Sequence, residues 1–342
     1  MSLILAIESS CDETSAAVVN GRQVFSNVVA TQIEMHQKWG GVVPEAAARA
    51  HVEAILPVIQ ESLSIANTSG SELDAIAVTN RPGLVGALSV GVTAAQSLAF
   101  AYKKPLIGVD HLEGHLLAIL ALPEELKFPC ISLLVSGGHS ELVLINKIGD
   151  YQLLGQTRDD AAGEAYDKGA RLLGLGYPGG RQISEQATEG NPKRYDLPRG
   201  LSKERYDMSF SGLKTAVLRL VEKEGNNISI PDAAASLQAA INDALIKRLR
   251  NAIEDHNPTS IALCGGVAAN PDLRSRVEKL AEQNRLPAYI PPFELCTDNA
   301  AMIGLAAAAH LVAGVGTNAL NLQVHPHSVL FNRAGAPQDT DT

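Results

Sequence analysis

Residues 3–19 read LILAIESSCDETSAAVV, and residues 129–145 read PCISLLVSGGHSELVLI. Each is an apolar run, a polar turn and a second apolar run. The runs are short, bounded by turn residues and rich in Ile, Val and Leu, so each pair reads as two adjoining strands. Beyond the first pair, Asn20-Gly21 is a strong hairpin signal before a third run, QVFSNVVA at 23–30. Beyond the second pair, YQLLGQT at 151–157 supplies a third short strand. A helical stretch starts at Pro44, a residue that suits a first helical turn. DAIAVTNRPGLVGALSVG at 74–91 then reads as strand, Pro-Gly turn and helix, and TSIALCGGVAANPDLRSRVEKLAEQ at 259–283 as strand, Gly-Gly turn and helix. The same order of elements occurs twice. It predicts an α/β protein of two lobes related by internal duplication, with a cleft between them. The halves agree in pattern and not residue by residue, so a chance recurrence of common α/β elements is the competing reading. The expected division is an N-terminal α/β lobe over 1–110, a C-terminal α/β lobe over 111–330 with a basic insertion around 185–230, and a disordered tail over 331–342.

Composition narrows the function classes. The chain has 342 residues, enough for about two domains of roughly 150 residues each. Hydrophobic residues make up 46% and charged residues 19%, which excludes a disordered chain. The net charge of -9 argues against a protein that coats nucleic acid through its overall charge. Cys11, Cys130, Cys264 and Cys296 are scattered and form no C-x-x-C, which points to reduced buried thiols in a cytoplasmic protein. MSLILAIESS has no basic flank and does not read as a signal peptide. Residues 82–102 carry no charge and are long enough to span a bilayer. They also contain Pro82, three glycines, Ser89, Thr93, Gln96 and Ser97, which favours a buried helix after a Gly-rich turn and no membrane.

Four polar turns are candidates for chemistry. Glu8-Ser9-Ser10-Cys11-Asp12-Glu13-Thr14 is longer than a hairpin needs, and reads either as a solvated turn or as a site loop. Ser136-Gly137-Gly138-His139 lets backbone N–H groups approach an anion, and Gly265-Gly266 before a helix is a phosphate-site pattern. Each of these two is also readable as a plain tight turn. Neither fits G-x-x-x-x-G-K-[ST], which excludes a P-loop. In His111-Leu112-Glu113-Gly114-His115 the histidines sit at i and i+4, on one face of a helix and at ligand spacing. The stretch is not H-E-x-x-H, which disfavours zincin-type hydrolysis. A carboxylate would complete a two-His-one-carboxylate set suited to iron or zinc. Asp298 is a candidate, with an N-cap as its alternative role. Residues 191–219 hold seven cations against three anions, with Tyr195, Tyr206 and Phe210 interleaved. They suit phosphates and unstacked bases, or form a solvated surface insertion.

Taken together, these turns resemble those of the universal tRNA threonylcarbamoyltransferase (TsaD) family. The resemblance is carried by I-E-S-S-C-D-E-T at 7–14, G-G-V-V-P-E at 40–45, H-x-E-G-H at 111–115, L-V-S-G-G-H at 134–139 and D-D-A-A-G-E-A-Y-D-K at 159–168. Y-P-G-G at 177–180, S-F-S-G-L-K at 209–214, G-G-V-A-A-N at 265–270 and C-T-D-N-A-A-M-I at 296–303 complete it, so it runs from about Leu3 to Gly314. It implies the two-lobed actin/Hsp70-like ATPase fold. The implied activity is transfer of a threonylcarbamoyl group from threonylcarbamoyl-AMP to the N(6) amine of an adenosine next to the tRNA anticodon. The implied metal ligands are His111, His115 and Asp298, for one divalent ion, Fe2+ before Zn2+. The implied substrate contacts are Leu134, Val135, Ser136, Gly137, Gly138, Asp167, Gly180 and Asn270, and Asp12 and Glu13 match the acids of the catalytic loop. The implied partners are tRNA, a TsaB-like paralogue and a TsaE-like P-loop ATPase. The sequence departs from the family at Arg81, before Pro-Gly-Leu, and at Ser184, where many members carry an acid. An ATP-dependent kinase or hydrolase of the same fold and a scaffold paralogue are the rival readings. The H-x-x-x-H pair speaks against both.

Overall fold

The computed structural model describes residues 2–39, 41–201, 203–314 and 320–333. Gly40 of the G-G-V-V-P-E motif and 334–342 of the expected tail lie outside them. The chain forms two compact units, Met1–Glu125 with Pro291–Leu330, and Leu126–Ile290 with Phe331–Thr342. The boundary expected after residue 110 is therefore displaced to residue 125, and 291–330 returns to the first unit.

The first unit opens with β1 (Leu3–Glu8), β2 (Glu13–Asn20) and β3 (Gln23–Thr31), the last two joined through Gly21 at φ +60°. Then come α1 (Ile33–Gln37), α2 (Pro44–Ile65), β4 (Ala75–Arg81), α3 (Val85–Tyr102), β5 (Leu106–Asp110) and α4 (His111–Leu117). The sheet order is β3-β2-β1-β4-β5, with β1, β4 and β5 mutually parallel and β2 antiparallel to both of its neighbours, β1 and β3. Residues 4–8 of β1 are buried without alternation, as expected of a strand covered on both faces. Leu5 and Ile7 pack with Ile55, Val58 and Ile59 of α2 and Val92, Ala95 and Ala99 of α3.

The second unit repeats the plan with β6 (Cys130–Val135), β7 (Ser140–Lys147), β8 (Asp150–Gln156), α5 (Ala162–Leu172), α6 (Gly179–Ala187), α7 (Ser211–Glu224), α8 (Ile230–His256), β9 (Ser260–Cys264), α9 (Pro271–Asn284) and β10 (Ala288–Tyr289). Its strand order β8-β7-β6-β9-β10 matches that of the first sheet, again with three parallel strands and an antiparallel hairpin. That agreement in order and direction supports the internal duplication. The chain then returns to the first unit as α10 (Ala300–Ala313), and β11 (Asn332–Arg333) closes the second sheet beside β8.

Close packing explains why α10 belongs with the first sheet. A Cβ on its Gly304 would lie 2.7 Å from Val19 and 3.2 Å from Ala6. Ala6 and Val19 face away from the Leu5 and Ile7 side, so α10 covers the sheet face opposite α2 and α3. The helix expected within 82–102 is α3, and it is less buried than expected. It is the one helix among the described residues long and apolar enough to cross a membrane. Ala87, Leu88, Gly91, Val92, Ala95 and Ala99 are buried, while Val85, Phe100 and Tyr102 are exposed. A sheet covers only one side of a helix lying on it, so an apolar composition all round leaves apolar surface outside.

Candidate functional site

The first unit gathers the histidines. Asp110 ends β5 and its carboxylate caps α4 by accepting the Leu112 N–H at 2.9 Å. His111 and His115 then occupy successive turns, their rings 4.7 Å apart and edge-on. At α10 the cap is Asn299, whose side chain accepts the Met302 N–H at 3.1 Å, so the N-cap role left open for Asp298 falls to its neighbour. The Asp298 carboxylate instead faces the histidines, its Oδ1 3.1 Å from His115 Nε2 and 3.5 Å from His111 Nε2. One ligand atom from each residue lies within 4.8 Å of the others. Among the described residues His115 Nδ1 is buried without a hydrogen-bond partner, and the ring is engaged through Nε2. Two imidazoles and a carboxylate converging in this way can hold a divalent metal.

The electrostatics fit that role. Burial works against protonating His111, but the Asp298 and Glu8 carboxylates outweigh it and push the ring up to about 9. Burial holds His115 below the ordinary histidine value. Burial raises Glu8, and the charge and hydrogen bond of His111 more than reverse that, so its carboxyl ends below the ordinary range. The site therefore attracts positive charge.

Residues 9–12 lead from β1 to β2, whose first residues are Glu13 and Thr14. Ser9 Oγ donates to the Ala87 carbonyl at 3.0 Å, and a Cβ on Gly91 would meet that Oγ at 2.3 Å, so α3 lies directly against the loop. The Leu84 N–H donates to the Ser10 carbonyl at 2.9 Å, where a Cβ on Gly83 would come within 2.6 Å. Gly83 is thus what that turn requires, and Arg81, at the end of β4, leaves it intact. His51 of α2 holds the loop from below, with Nε2 3.0 Å from the Cys11 carbonyl and Nδ1 2.8 Å from Thr14 Oγ1. The Gln32 N–H donates to the Asp12 carbonyl at 3.1 Å. Asp12 is nearly buried, and burial, then Asp298 and Asp12, raises the Glu13 carboxyl. Asp12, Glu13, His111, His115 and Asp298 all belong to this unit. Glu8 was read from the sequence only as part of the polar turn 8–14, without its link to His111, and His51 was not singled out. The available signals were an acid ending an otherwise apolar strand and a histidine on the apolar face of a helix.

In the second unit, Leu134 and Val135 end β6 and lead into the turn. The Ser136 N–H donates to the His139 carbonyl at 2.8 Å, and its carbonyl accepts the Gly163 N–H. Gly137 and Gly138 are exposed, with no atom within 4 Å of an added Cβ. Gly265 follows the neighbouring parallel strand β9 with φ +86° and ψ 168°, and a Cβ there would lie 2.4 Å from the Val135 carbonyl oxygen. Both glycine turns thus sit side by side at the C-terminal strand ends, where open α/β sheets bind ligands. Asn270 caps α9, accepting the Leu273 N–H at 2.9 Å and donating to Gln238 at 2.7 Å. Asp167 accepts the Gly179 N–H at 2.7 Å and a backbone bond from Gly180, which binds α5 to the start of α6. Ser184 lies within α6.

The basic segment is partly spent. Arg199 pairs with Asp243 at 3.0 Å, and Arg205 pairs with Asp255. Lys193, Arg194, Lys203, Lys214 and Arg219 are exposed, Arg194 lying over the Tyr195 ring.

This architecture defines the class. The structure of HypF from T. kodakarensis matches 91% of this chain and 48% of its own, with TM-score 0.60 and 14% identity. That of the Acidaminococcus fermentans (R)-2-hydroxyglutaryl-CoA dehydratase component A matches 92% and 100%, with TM-score 0.55 and 14% identity. At those identities the likeness is one of fold, and the fold is that of the actin/Hsp70-like ATPases. Within it, a model of the TsaD family, described as tRNA N6-adenosine threonylcarbamoyltransferase, matches residues 23–305. Relatives bearing that name are 53% identical in Cyanothece sp., over 92% of this chain and 93% of the relative, and 53% identical in Thermosynechococcus vestitus, over 91% of each. The chain belongs to the TsaD family.

Proposed function

We propose that this protein transfers a threonylcarbamoyl group from threonylcarbamoyl-AMP to the N(6) amine of the adenosine next to the anticodon, in tRNAs reading codons that start with A. The observation that carries this reading is the convergence of His111, His115 and Asp298 in a chain of this family. Phosphotransfer by a kinase or hydrolase of the same fold has no need of that set, and neither has a scaffold paralogue.

The donor is a mixed anhydride. The amine attacks the carbamoyl carbon, a C–N bond forms, the C–O bond to phosphate breaks, and AMP leaves with the bonding pair. Asp12 is the carboxylate assigned to position the amine and take its proton. Glu13, raised by burial and hydrogen-bonded to Asp12, orients it. The backbone of Ser136, Gly137 and Gly138, with Leu134, Val135, Asp167, Gly180 and Asn270, is assigned to the nucleotide. His111, His115 and Asp298 would hold a divalent ion, Fe2+ before Zn2+, which supplies Lewis-acid polarisation of a donor oxygen when bound. An anticodon-loop base is already unpaired, so presenting it costs little.

Lys193, Arg194, Lys203, Lys214 and Arg219 are the cations offered to tRNA, Arg199 and Arg205 being used internally. With a net charge of -9, binding by this chain alone is weak and salt-sensitive. Exposed Val52 and Leu56 of α2 and Phe100 of α3 support docking of a TsaB-like paralogue, with a TsaE-like P-loop ATPase as a further partner, in the cytoplasm. The test is mass spectrometry of tRNA nucleosides after incubation with threonylcarbamoyl-AMP, with and without those partners. Modified adenosine is expected, and its loss with H111A, H115A and D298A. Its absence in every combination refutes the proposal.

A further inference from the structure

We infer that Glu8 is a positioning residue for the metal centre, orienting His111 through its Nδ1 so that Nε2 is presented as the ligand. This rests on the metal reading of His111, His115 and Asp298.

Glu8 closes β1, Thr79 lies near the end of β4, and His111 follows β5. These three strands are parallel neighbours, so their C-terminal ends bring the residues together although 71 and 103 positions separate Glu8 from the other two. The Glu8 side chain is fully buried at the end of a run that otherwise reads LILAI. A carboxylate there is costly unless every lone pair is used. Here the oxygens are engaged. Oε1 accepts the Ser10 N–H at 2.5 Å, and Oε2 accepts the Thr79 hydroxyl at 2.6 Å and faces His111 Nδ1 at 3.0 Å. Ser10 Oγ also lies 3.1 Å from that Nδ1.

A His111 Nδ1–H donated to Glu8 leaves the lone pair on Nε2, the atom that faces Asp298. It also fixes the ring plane and enriches the ring as a donor, which is how a carboxylate behind a ligating histidine acts. The two histidines are unequal in this respect, because His115 Nδ1 has no hydrogen-bond partner among the described residues. Thr79 in turn fixes Glu8. Neither touches substrate in this assignment. Their effect passes through His111.

The test measures Zn2+ affinity by chelator competition and the visible spectrum of the Co2+-loaded protein, for wild type, Glu8→Gln and Thr79→Val. Gln keeps the shape but removes the charge and turns one acceptor into a donor. Glu8→Gln is expected to weaken Zn2+ binding about 10- to 100-fold and to alter the Co2+ spectrum. Thr79→Val is expected to act in the same direction and less. Zn2+ affinity and Co2+ spectrum equal to wild type in folded Glu8→Gln would overturn the inference while leaving the metal reading standing. If Glu8→Gln does not fold, Thr79→Val decides alone, and wild-type values there overturn it. A wild-type protein that binds neither ion removes the metal reading itself, and this inference with it.

Discussion

Gly265 and Gly266 are adjacent, yet the structure assigns them opposite sensitivities. Gly265 has φ +86° and ψ 168°, a region open essentially to glycine alone, where a side chain costs about 1–3 kcal/mol of backbone strain. Its added Cβ would also lie 2.4 Å from the Val135 carbonyl oxygen and 2.8 Å from the carbonyl carbon. Those are backbone atoms at the end of β6, where Val135 pairs with Ser140 of β7, so the clash cannot be relieved by turning a flexible side chain. Overpacking of this kind adds about 1–3 kcal/mol. Together Gly265→Ala is expected to destabilise by about 2–6 kcal/mol. Gly266→Ala meets no atom within 4 Å and is expected to stay within about 0.5 kcal/mol of wild type. The assay is urea unfolding followed by far-UV circular dichroism, comparing midpoints at unchanged slope. Because the strain falls on the end of β6, Gly265→Ala should also weaken binding of AMP. Equal midpoints for the two variants, or a Gly265→Ala midpoint indistinguishable from wild type, would refute the packing argument.

Two further outcomes follow from neighbouring residues with different tasks. Asp298→Ala should abolish divalent metal binding with little loss of stability, whereas Asn299→Ala, which removes the α10 cap, should cost about 0.5–2 kcal/mol in unfolding free energy, read by the same urea titration. For pH, Asp159 accepts hydrogen bonds from the Phe210 and Ser211 N–H groups and from the Ser209 and Ser211 hydroxyls. Burial opposes its charge, but these donors outweigh it and hold its carboxyl below the ordinary value of 3.8. Its folded pKa is depressed, so its contribution is present above 3.8 and lost as pH falls through the folded value. Hydrogen-exchange protection at residues 209–213, relative to the intrinsic rate at each pH, should therefore fall on acidification below that point in wild type. In Asp159→Asn protection should be low throughout and insensitive to that step.

Much of the fold was legible because its signals are local. Alternating runs and turns mark strands within five to nine residues, Asn20-Gly21 marks a hairpin, and the repeat of strand, turn and helix appears twice along the chain. The H-x-x-x-H spacing works for the same reason, since a helix fixes which residues share a face within one turn. The division at residue 110 failed because no local feature marks it. Whether α4 and α10 join the first or second sheet depends on Gly304 meeting Val19 and Gly114 meeting Ile303, contacts between segments far apart in the chain. The exposed flank of α3 was hidden for a related reason, since composition reports how apolar a helix is and not which side of it the sheet covers.

The candidate site divides in the same way. The sequence by itself determined the candidate ligand types, the glycine turns and the resemblance to the family, because these depend on residue identity at short spacing and on the order of motifs. Only the tertiary structure decided that Asp298 faces both histidines while Asn299 takes the cap, that Arg199 and Arg205 are spent on Asp243 and Asp255, and that Glu8 stands behind His111. The physical reason is that hydrogen bonds and ion pairs depend on direction over about 3 Å. Parallel strand ends, not sequence neighbours, bring those atoms within that distance.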